Sequence, residues 1–155
     1  MRRNPILIFT VLLLVSSVVQ CQEDRHSSLI KKPGPKLDLS ITRGKFMEFP
    51  SATGTGRGYL ALPDDKNAKH PAMIVIQEWW GVDDWIMQQA DRFAKQGYVT
   101  LAVDLYRGKV AKTQDEAHEL MRGLPEDRAL ADMKAAFNLL AARGDVDPSH
   151  IGVIG

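Results

Sequence analysis

The sequence predicts an α/β fold in which a leading β-hairpin is followed by a doubly wound, mostly parallel sheet. Three continuous apolar runs have the composition of strands buried on both faces, namely AMIVIQ (72–77), YVTLAVD (98–104) and the closing IGVI (151–154). Helical patterns separate these runs. Because strands that alternate with helices pair side by side and carry the helices on their two faces, the order predicts a parallel, doubly wound arrangement.

The hairpin and the first helix are predicted from turn and capping signals. GKFMEFP (44–50) and GYLALP (58–63) are short apolar runs on either side of a glycine-containing loop, which is typical of two antiparallel strands. After EWWG, Asp83 or Asp84 is predicted to cap a helix that runs to about Gln96. A glycine follows the last turn of this helix and is expected to end it.

Two further helices are predicted before the last strand. Thr113 and Glu116 have the spacing of a capping box at the start of the second helix. The third helix is predicted over about 126–143, and DVDPSH (145–150) is predicted as the turn into the final strand. The apolar stripe expected along the third helix is Leu130, Met133, Phe137 and Leu140.

Composition and charge are those of an ordinary globular protein. The chain has 155 residues, of which 45% are hydrophobic and 25% charged, which allows one domain or half of a large α/β domain. Lys and Arg number 20 against 19 Asp and Glu, giving a net charge of +1. This balance gives no electrostatic reason to expect nucleic acid or a membrane surface as a partner.

The N-terminal segment has the features of an export signal. In MRRNPILIFTVLLLVSSVVQC (1–21), two arginines precede an apolar run (6–19) that is short for a membrane span. The single cysteine, Cys21, follows this run and is a candidate lipoprotein cysteine, although Gln20 stands where a small residue is usual. The sequence therefore predicts export, periplasmic or secreted, with lipidation as the alternative, and residues 22–41 are predicted to be a flexible linker.

Three motifs in order resemble one enzyme family. MIVIQEWWGVDD, GYVTLAVDLYRG and DPSHIGVIG together resemble the dienelactone hydrolase (carboxymethylenebutenolidase-like) family of the α/β-hydrolase fold, from about Gly44 to Gly155. The resemblance implies that Gly155 is the first glycine of a nucleophile elbow, whose strained turn lifts the nucleophile above the sheet. The family nucleophile, usually a cysteine, comes two residues later. Residues 42–155 are then expected to be the N-terminal part of the domain and inactive alone.

Candidate site residues follow the first two predicted parallel strands, since ligands bind at the carboxyl ends of such strands. Glu78 lies there beside two tryptophans, where desolvation would favour proton handling, although a solvated loop acid is the alternative. The resemblance implies that Glu78 pairs with the resting thiol and helps to form the thiolate. It also implies that the backbone N–H of Trp79 is one donor of the oxyanion hole.

Arg107 is the candidate anchor for an anionic substrate, because a guanidinium can hold a carboxylate through two parallel hydrogen bonds. Members of the family place a carboxylate-binding arginine two residues after the tyrosine of DLY. In this chain Arg107 follows Tyr106 directly and Gly108 takes the other place. A surface arginine therefore remains an alternative interpretation.

The other polar residues are expected to have structural roles. Asp104 is interpreted as a loop-fixing acid, because the triad acid of this fold follows the nucleophile. None of His70, His118 and His150 is expected to belong to an acid or cysteine constellation. No spacing typical of a metal site is present, and GTGRG does not open a helix as a phosphate loop does. No cofactor or metal is therefore expected.

Two functions of different classes follow. The first is a hydrolase that cleaves a small ester or lactone through a cysteine or serine beyond residue 155, with an acyl-enzyme intermediate. The second is a secreted binding module that keeps a degenerate hydrolase rim and has no catalysis. The second is disfavoured because the final apolar strand, central in this fold, would lie at an exposed edge.

Overall fold

The computed structural model describes residues 43–155, so the predicted signal and linker lie outside the described residues. The described part contains five strands and three helices. In chain order they are β1 (Lys45–Ser51), β2 (Gly54–Ala61), β3 (His70–Ile76), α1 (Asp84–Lys95), β4 (Val99–Val103), α2 (Gln114–Arg122), α3 (Glu126–Ala141) and β5 (Val146–Ile154). No helix within 43–155 is both long and apolar enough to cross a bilayer.

The strands form one mixed sheet in the order β1-β2-β4-β3-β5. The hairpin β1–β2 pairs antiparallel, and β2 also pairs antiparallel with β4. β3 lies between β4 and β5 and pairs parallel with both. The structure confirms the predicted α/β class, with a leading hairpin at one side of a parallel core.

The core consists of two apolar layers, one on each face of the sheet. Alternate residues of one strand enter different layers, because successive strand side chains point to opposite faces. In β3, Ile74 packs in the layer that contains Leu140 of α3, whereas Val75 packs in the layer that contains Ile86 of α1. α1 and α3 therefore cover opposite faces, as in a doubly wound fold.

The first two helices begin as their capping signals predict. Asp83, rather than Asp84, caps α1, and its carboxylate accepts a hydrogen bond of 3.0 Å from the Ile86 backbone N–H. At α2, the Thr113 hydroxyl accepts from the Glu116 N–H at 3.3 Å. The Glu116 carboxylate reaches back to the Lys112 N–H at 2.7 Å, one residue earlier than in a standard capping box.

The predicted apolar stripe of α3 is partly wrong. Leu130 is 63% exposed and Phe137 is 43% exposed, whereas the buried face of the helix consists of Asp132, Ala136 and Leu140. The prediction failed because it selected residues by hydrophobicity alone and so left the charged Asp132 out of the core-facing stripe. Asp132 is buried because it has a cationic partner in another part of the chain.

The last strand begins five residues earlier than predicted. β5 starts at Val146, which pairs with His70, and the regular register resumes where Ile151 pairs with Ala72. The four residues between, 147–150, bulge out of the ladder, since one residue of β3 lies opposite them. The turn predicted over 145–150 is therefore an irregular first half of the strand, which explains its proline and polar residues.

Candidate active site

The turn after β3 carries two of the predicted site residues and is shaped by a glycine. The Gly81 N–H donates to the Glu78 carbonyl at 3.1 Å, and the Asp83 N–H donates to the Gly81 carbonyl at 3.0 Å. Gly81 has φ +103°, and a Cβ atom there would lie 2.6 Å from the Lys109 carbonyl oxygen. Only glycine fits this position, which brings the turn against the loop that follows β4.

Glu78 lies beside the end of β5. Its side chain lines a cavity of about 230 Å³ together with Ile76, Trp85, Ile154 and Gly155. The cavity thus joins the candidate proton-handling acid to the glycine at which the nucleophile elbow is predicted to begin. Among the described residues, Glu78 is exposed to solvent. The expected desolvation of its carboxylate by the two tryptophans is therefore wrong for the described part of the chain.

Trp79 follows directly in the same turn. Its indole lies 5.0 Å from the Trp80 ring and 4.9 Å from the His118 ring, measured between centroids. The Trp80 carbonyl accepts a hydrogen bond of 2.9 Å from the Ala111 N–H. The backbone N–H groups of Gly81, Asp83 and Ala111 hold this turn. The role of the Trp79 N–H as an oxyanion donor stays a prediction.

The loop after β4 is organised around Asp104. This residue is 2% exposed, and its Oδ2 accepts from the Gly108 N–H at 2.7 Å and from Arg57 Nη1 at 3.2 Å. Its carbonyl accepts from the Arg107 N–H at 3.1 Å. Burial is the main cause of a raised pKa at Asp104, and these donors act in the opposite direction. The loop-fixing role predicted for Asp104 is confirmed.

Gln77 connects the two loops of the rim. Its side-chain oxygen accepts a hydrogen bond of 3.0 Å from the Leu105 N–H. Its side chain also hydrogen-bonds to Tyr106, whose pKa is raised because the phenol is buried. No sequence signal predicts this role, because a single glutamine at the end of an apolar run forms no recognisable motif. Its partners also lie in a different segment, which follows another strand.

The Arg107 guanidinium donates hydrogen bonds to Asp132 of α3. Its Nη2 donates to Asp132 Oδ1 at 3.0 Å, its Nε donates to Asp132 Oδ2 at 3.3 Å, and Nη2 also contacts the Thr53 hydroxyl at 3.2 Å. The backbone of Arg107 is left-handed, with φ 52°. These contacts do not involve Glu78 or Trp79, and the predicted role of Arg107 as an anion anchor stays a prediction.

The three described histidines have different surroundings. His70 bridges two carbonyls, with Nδ1 at 3.1 Å from Gly97 and Nε2 at 2.8 Å from Asp65. His118 contacts the Trp79 ring. Within 43–155 no group of three or more His, Cys, Asp or Glu residues has the geometry to hold a metal ion.

His150 belongs to an acid cluster, contrary to the expectation from sequence. Its Nδ1 lies 2.8 Å from Asp147 Oδ2 and 3.0 Å from the Ser149 hydroxyl, which itself donates to Asp147 Oδ1 at 2.6 Å. A catalytic triad uses the two different nitrogens of its histidine, whereas both contacts here involve one nitrogen. The cluster lies in the bulged first half of β5, and it stabilises that irregular backbone.

Asp147 is expected to titrate far below an ordinary aspartate. Hydrogen bonds from Ser149 and His150 lower its pKa from 3.8 to about 2. Because the folded-state pKa is depressed, these bonds stabilise the fold above the ordinary pKa, and their contribution is lost as the pH falls through about 2. A titration of the Asp147 carboxyl ¹³C resonance should give this midpoint, and Ser149→Ala should raise it. A titration midpoint near pH 3.8 in the unsubstituted protein would contradict these hydrogen bonds to Asp147.

Comparison with known proteins relates this chain to one family. The profile described as "Dienelactone hydrolase family" matches residues 57–155. "Protein usf" of Aquifex pyrophilus is 36% identical over 118 residues, which are 72% of this chain and 50% of that protein. A Yersinia pestis protein named "Putative carboxymethylenebutenolidase" is 38% identical over 112 residues, which are 69% of this chain and 42% of that protein.

A solved structure shares the arrangement of the strands and helices. The structure named "m3DLH" superposes with a TM-score of 0.64 at 28% identity and covers 73% of this chain and 48% of that one. The chain thus spans about half the length of the relatives that it matches. The profile match, the two relatives and the shared fold lead to one conclusion: the chain belongs to the dienelactone hydrolase family.

Proposed function

We propose that the whole protein is a hydrolase that cleaves a small carboxylic ester or lactone through a cysteine or serine following Gly155. One observation carries this proposal: Glu78 and Gly155 line the same cavity at the carboxyl ends of β3 and β5. In an α/β hydrolase the nucleophile stands on the turn that follows this strand. A nucleophile two residues after Gly155 would therefore emerge beside a carboxylate that is able to take its proton.

The reaction uses the two residues of the turn after β3. Glu78 accepts the proton of the thiol or hydroxyl, and the resulting anion forms a bond to the carbonyl carbon of the ester. The carbonyl oxygen becomes negative, and the Trp79 N–H donates a hydrogen bond to it. Collapse of this intermediate breaks the bond to the alcohol oxygen, which leaves with the proton that Glu78 received. Water then hydrolyses the acyl-enzyme and releases the acid.

Arg107 has a conditional place in this proposal. Its side chain is 28% exposed, and its shortest hydrogen bond is to Asp132, at 3.0 Å. An anionic group of a substrate would have to share these donors with Asp132. A neutral ester needs no such sharing, so we propose Arg107 as an anchor only for substrates that carry a carboxylate.

The exposed end of β5 supports a longer protein. Val153 is 56% exposed and Ile154 is 45% exposed, although both have the character of buried strand residues. A further strand beside β5, together with helices packed on the two faces of the sheet, would cover them. Residues 42–155 are then expected to have no turnover by themselves, because the nucleophile and its histidine would lie in the remainder of the domain. The proposal includes export, directed by residues 1–21.

A peptide map of the protein from its natural source tests the proposal, followed by an esterase assay of the intact protein. From the peptide map, we expect a peptide that continues past Gly155 as Gly-x-Cys-x-Gly or Gly-x-Ser-x-Gly, and an N-terminus near residue 21. From the assay, we expect hydrolysis of p-nitrophenyl acetate that is lost when the nucleophile is replaced by alanine. A natural C-terminus at Gly155, or an intact protein without esterase activity, would refute the hydrolase and favour the binding module.

A further inference from the structure

Arg128 is a cation that is partly withdrawn from water and has no acidic partner among residues 43–155. It belongs to the first turn of α3 and is half-buried. Its Nη2 donates to the Leu105 carbonyl at 3.3 Å, whereas its Nε is buried without an acceptor. The ion pairs of the described residues do not include Arg128. Because desolvation of a charge is costly unless an opposite charge compensates it, this guanidinium indicates a site for an anion.

The hydrogen bonds of Leu105 place the Arg128 guanidinium at the rim of the sheet. Leu105 is the second residue after β4. Its carbonyl accepts from Arg128, and its N–H donates to the Gln77 side chain at 3.0 Å. Gln77 directly precedes Glu78, the proposed proton acceptor. Arg128 therefore reaches from α3 to the carboxyl ends of the strands, where ligands bind in open α/β sheets.

A cavity lined by Arg128 has more cationic than acidic side chains. Its volume is about 770 Å³, and it lies between the loop after β4, α2 and the start of α3. The Glu116 carboxylate in its wall already accepts a hydrogen bond of 2.7 Å from the Lys112 N–H. The charged lining consists of Arg107, Lys109, Lys112 and Arg128, with Glu116 and Glu119 opposite in sign. This excess of positive charge favours an anionic ligand.

Arg128 and Arg107 differ in what their donors already bind. Arg107 donates from Nε and Nη2 to the buried Asp132 carboxylate, so an anion at Arg107 has to share these donors. Arg128 has only a carbonyl oxygen as its acceptor, at the longer distance of 3.3 Å. Hydrogen bonds from a guanidinium to a carboxylate are stronger than those to a neutral carbonyl. A carboxylate that enters the cavity is therefore expected to bind at Arg128.

We infer that this cavity is an anion-binding site in which Arg128 holds a carboxylate group. The carboxylate can belong to the ester that is cleaved or to a separate small molecule, and the two sources share the same chemistry. The binding itself does not depend on the proposed function. If the carboxylate belongs to the ester, Arg128 determines specificity, because it distinguishes acyl groups that carry a second carboxylate from neutral ones.

Titration of the intact protein with succinate tests the site directly. By calorimetry, we expect saturable binding that Arg128→Gln weakens by about 10-fold or more, and no binding of the neutral diamide succinamide. Arg122→Gln, which removes the same charge from an exposed position outside the cavity, should keep the affinity. In the unmodified protein, succinate should also shift the Nε–H resonance of Arg128, assigned with Arg128→Lys.

Absence of saturable succinate binding, or equal weakening in Arg122→Gln and Arg128→Gln, would overturn the site. An Arg128 Nε–H resonance that stays in place during the titration would also overturn it, even if Arg128→Gln proved unstable.

Ester hydrolysis then distinguishes the two sources of the carboxylate. Mono-p-nitrophenyl succinate and p-nitrophenyl butyrate differ by a carboxylate in place of a methyl group. If the site holds the carboxylate of the substrate, Arg128→Gln should lower the ratio of their kcat/KM values by about 10-fold, and Arg122→Gln should leave the ratio unchanged. An unchanged ratio together with weakened succinate binding would assign the site to a separate carboxylate ligand. An unmodified protein that binds succinate without esterase activity would refute the proposed function and support this site.

Discussion

Arg107→Ala is expected to lower the free energy of unfolding by about 3 kcal/mol, because it leaves a buried carboxylate without its cation. Asp132 is 1% exposed at its side chain and lies within 3.0 Å of the Arg107 guanidinium. Asp132→Ala should cost less, about 1–2 kcal/mol, since Arg107 is 28% exposed and water can reach it. Equilibrium denaturation of the intact protein measures both values.

A matched control separates burial from ion pairing as such. Arg43 and Asp64 form a pair of similar length, 2.9 Å, but their side chains are 48% and 83% exposed. Asp64→Ala should therefore change the free energy of unfolding by less than about 0.5 kcal/mol. Equal losses in Asp64→Ala and Arg107→Ala, or a larger loss in Asp132→Ala than in Arg107→Ala, would contradict the asymmetry that burial predicts.

Steady-state kinetics of an Arg107 variant distinguishes the two interpretations of this residue. A purely structural arginine affects stability and leaves KM unchanged for every substrate. An anion anchor raises KM for an ester that carries a carboxylate and leaves KM for a neutral ester unchanged. The comparison is best made with Arg107→Lys, which keeps the charge near Asp132 and loses the paired hydrogen bonds of the guanidinium. A KM increase confined to the anionic ester would support the anchor.

Periodicity and capping predicted the architecture, because both depend on neighbouring residues. The runs at 72–77 and 98–104 are found as parallel strands, and Asp83 and Thr113 cap the helices that follow them. The position of Glu78 and Trp79 on one turn also follows from their place after a strand. Their arrangement at the rim was thus accessible from local sequence together with the rule that sites form at strand ends.

Features that depend on distant partners were missed. Asp132 is polar at a core-facing position, and its burial is explained only by Arg107, which precedes it on another element. The contact of His118 with Trp79 likewise joins two segments that no local pattern relates. The burial of a charged side chain or of a polar ring depends on its partner in space. Hydrophobic periodicity, which treats each residue alone, assigns such residues to the surface.

Glu78→Gln is expected to lower kcat of the intact enzyme by about 10²-fold, the lower range for loss of a positioned proton acceptor. Glutamine has nearly the same shape, so it keeps the lining of the cavity shared with Gly155 but cannot accept the proton of the nucleophile. KM should change little, because the effect falls on the chemical step. Steady-state kinetics with p-nitrophenyl acetate measures both parameters.

Glu48→Gln is the control for the loss of a negative charge, since Glu48 is exposed on β1, at the opposite edge of the described sheet from β5. It should leave kcat unchanged. If the nucleophile is a cysteine, Glu78→Gln should also slow its alkylation by iodoacetamide, because the thiolate is the reactive form. A Glu78→Gln enzyme with full kcat and an unchanged alkylation rate would exclude Glu78 as the proton acceptor. A rise in KM alone would instead assign Glu78 to substrate binding.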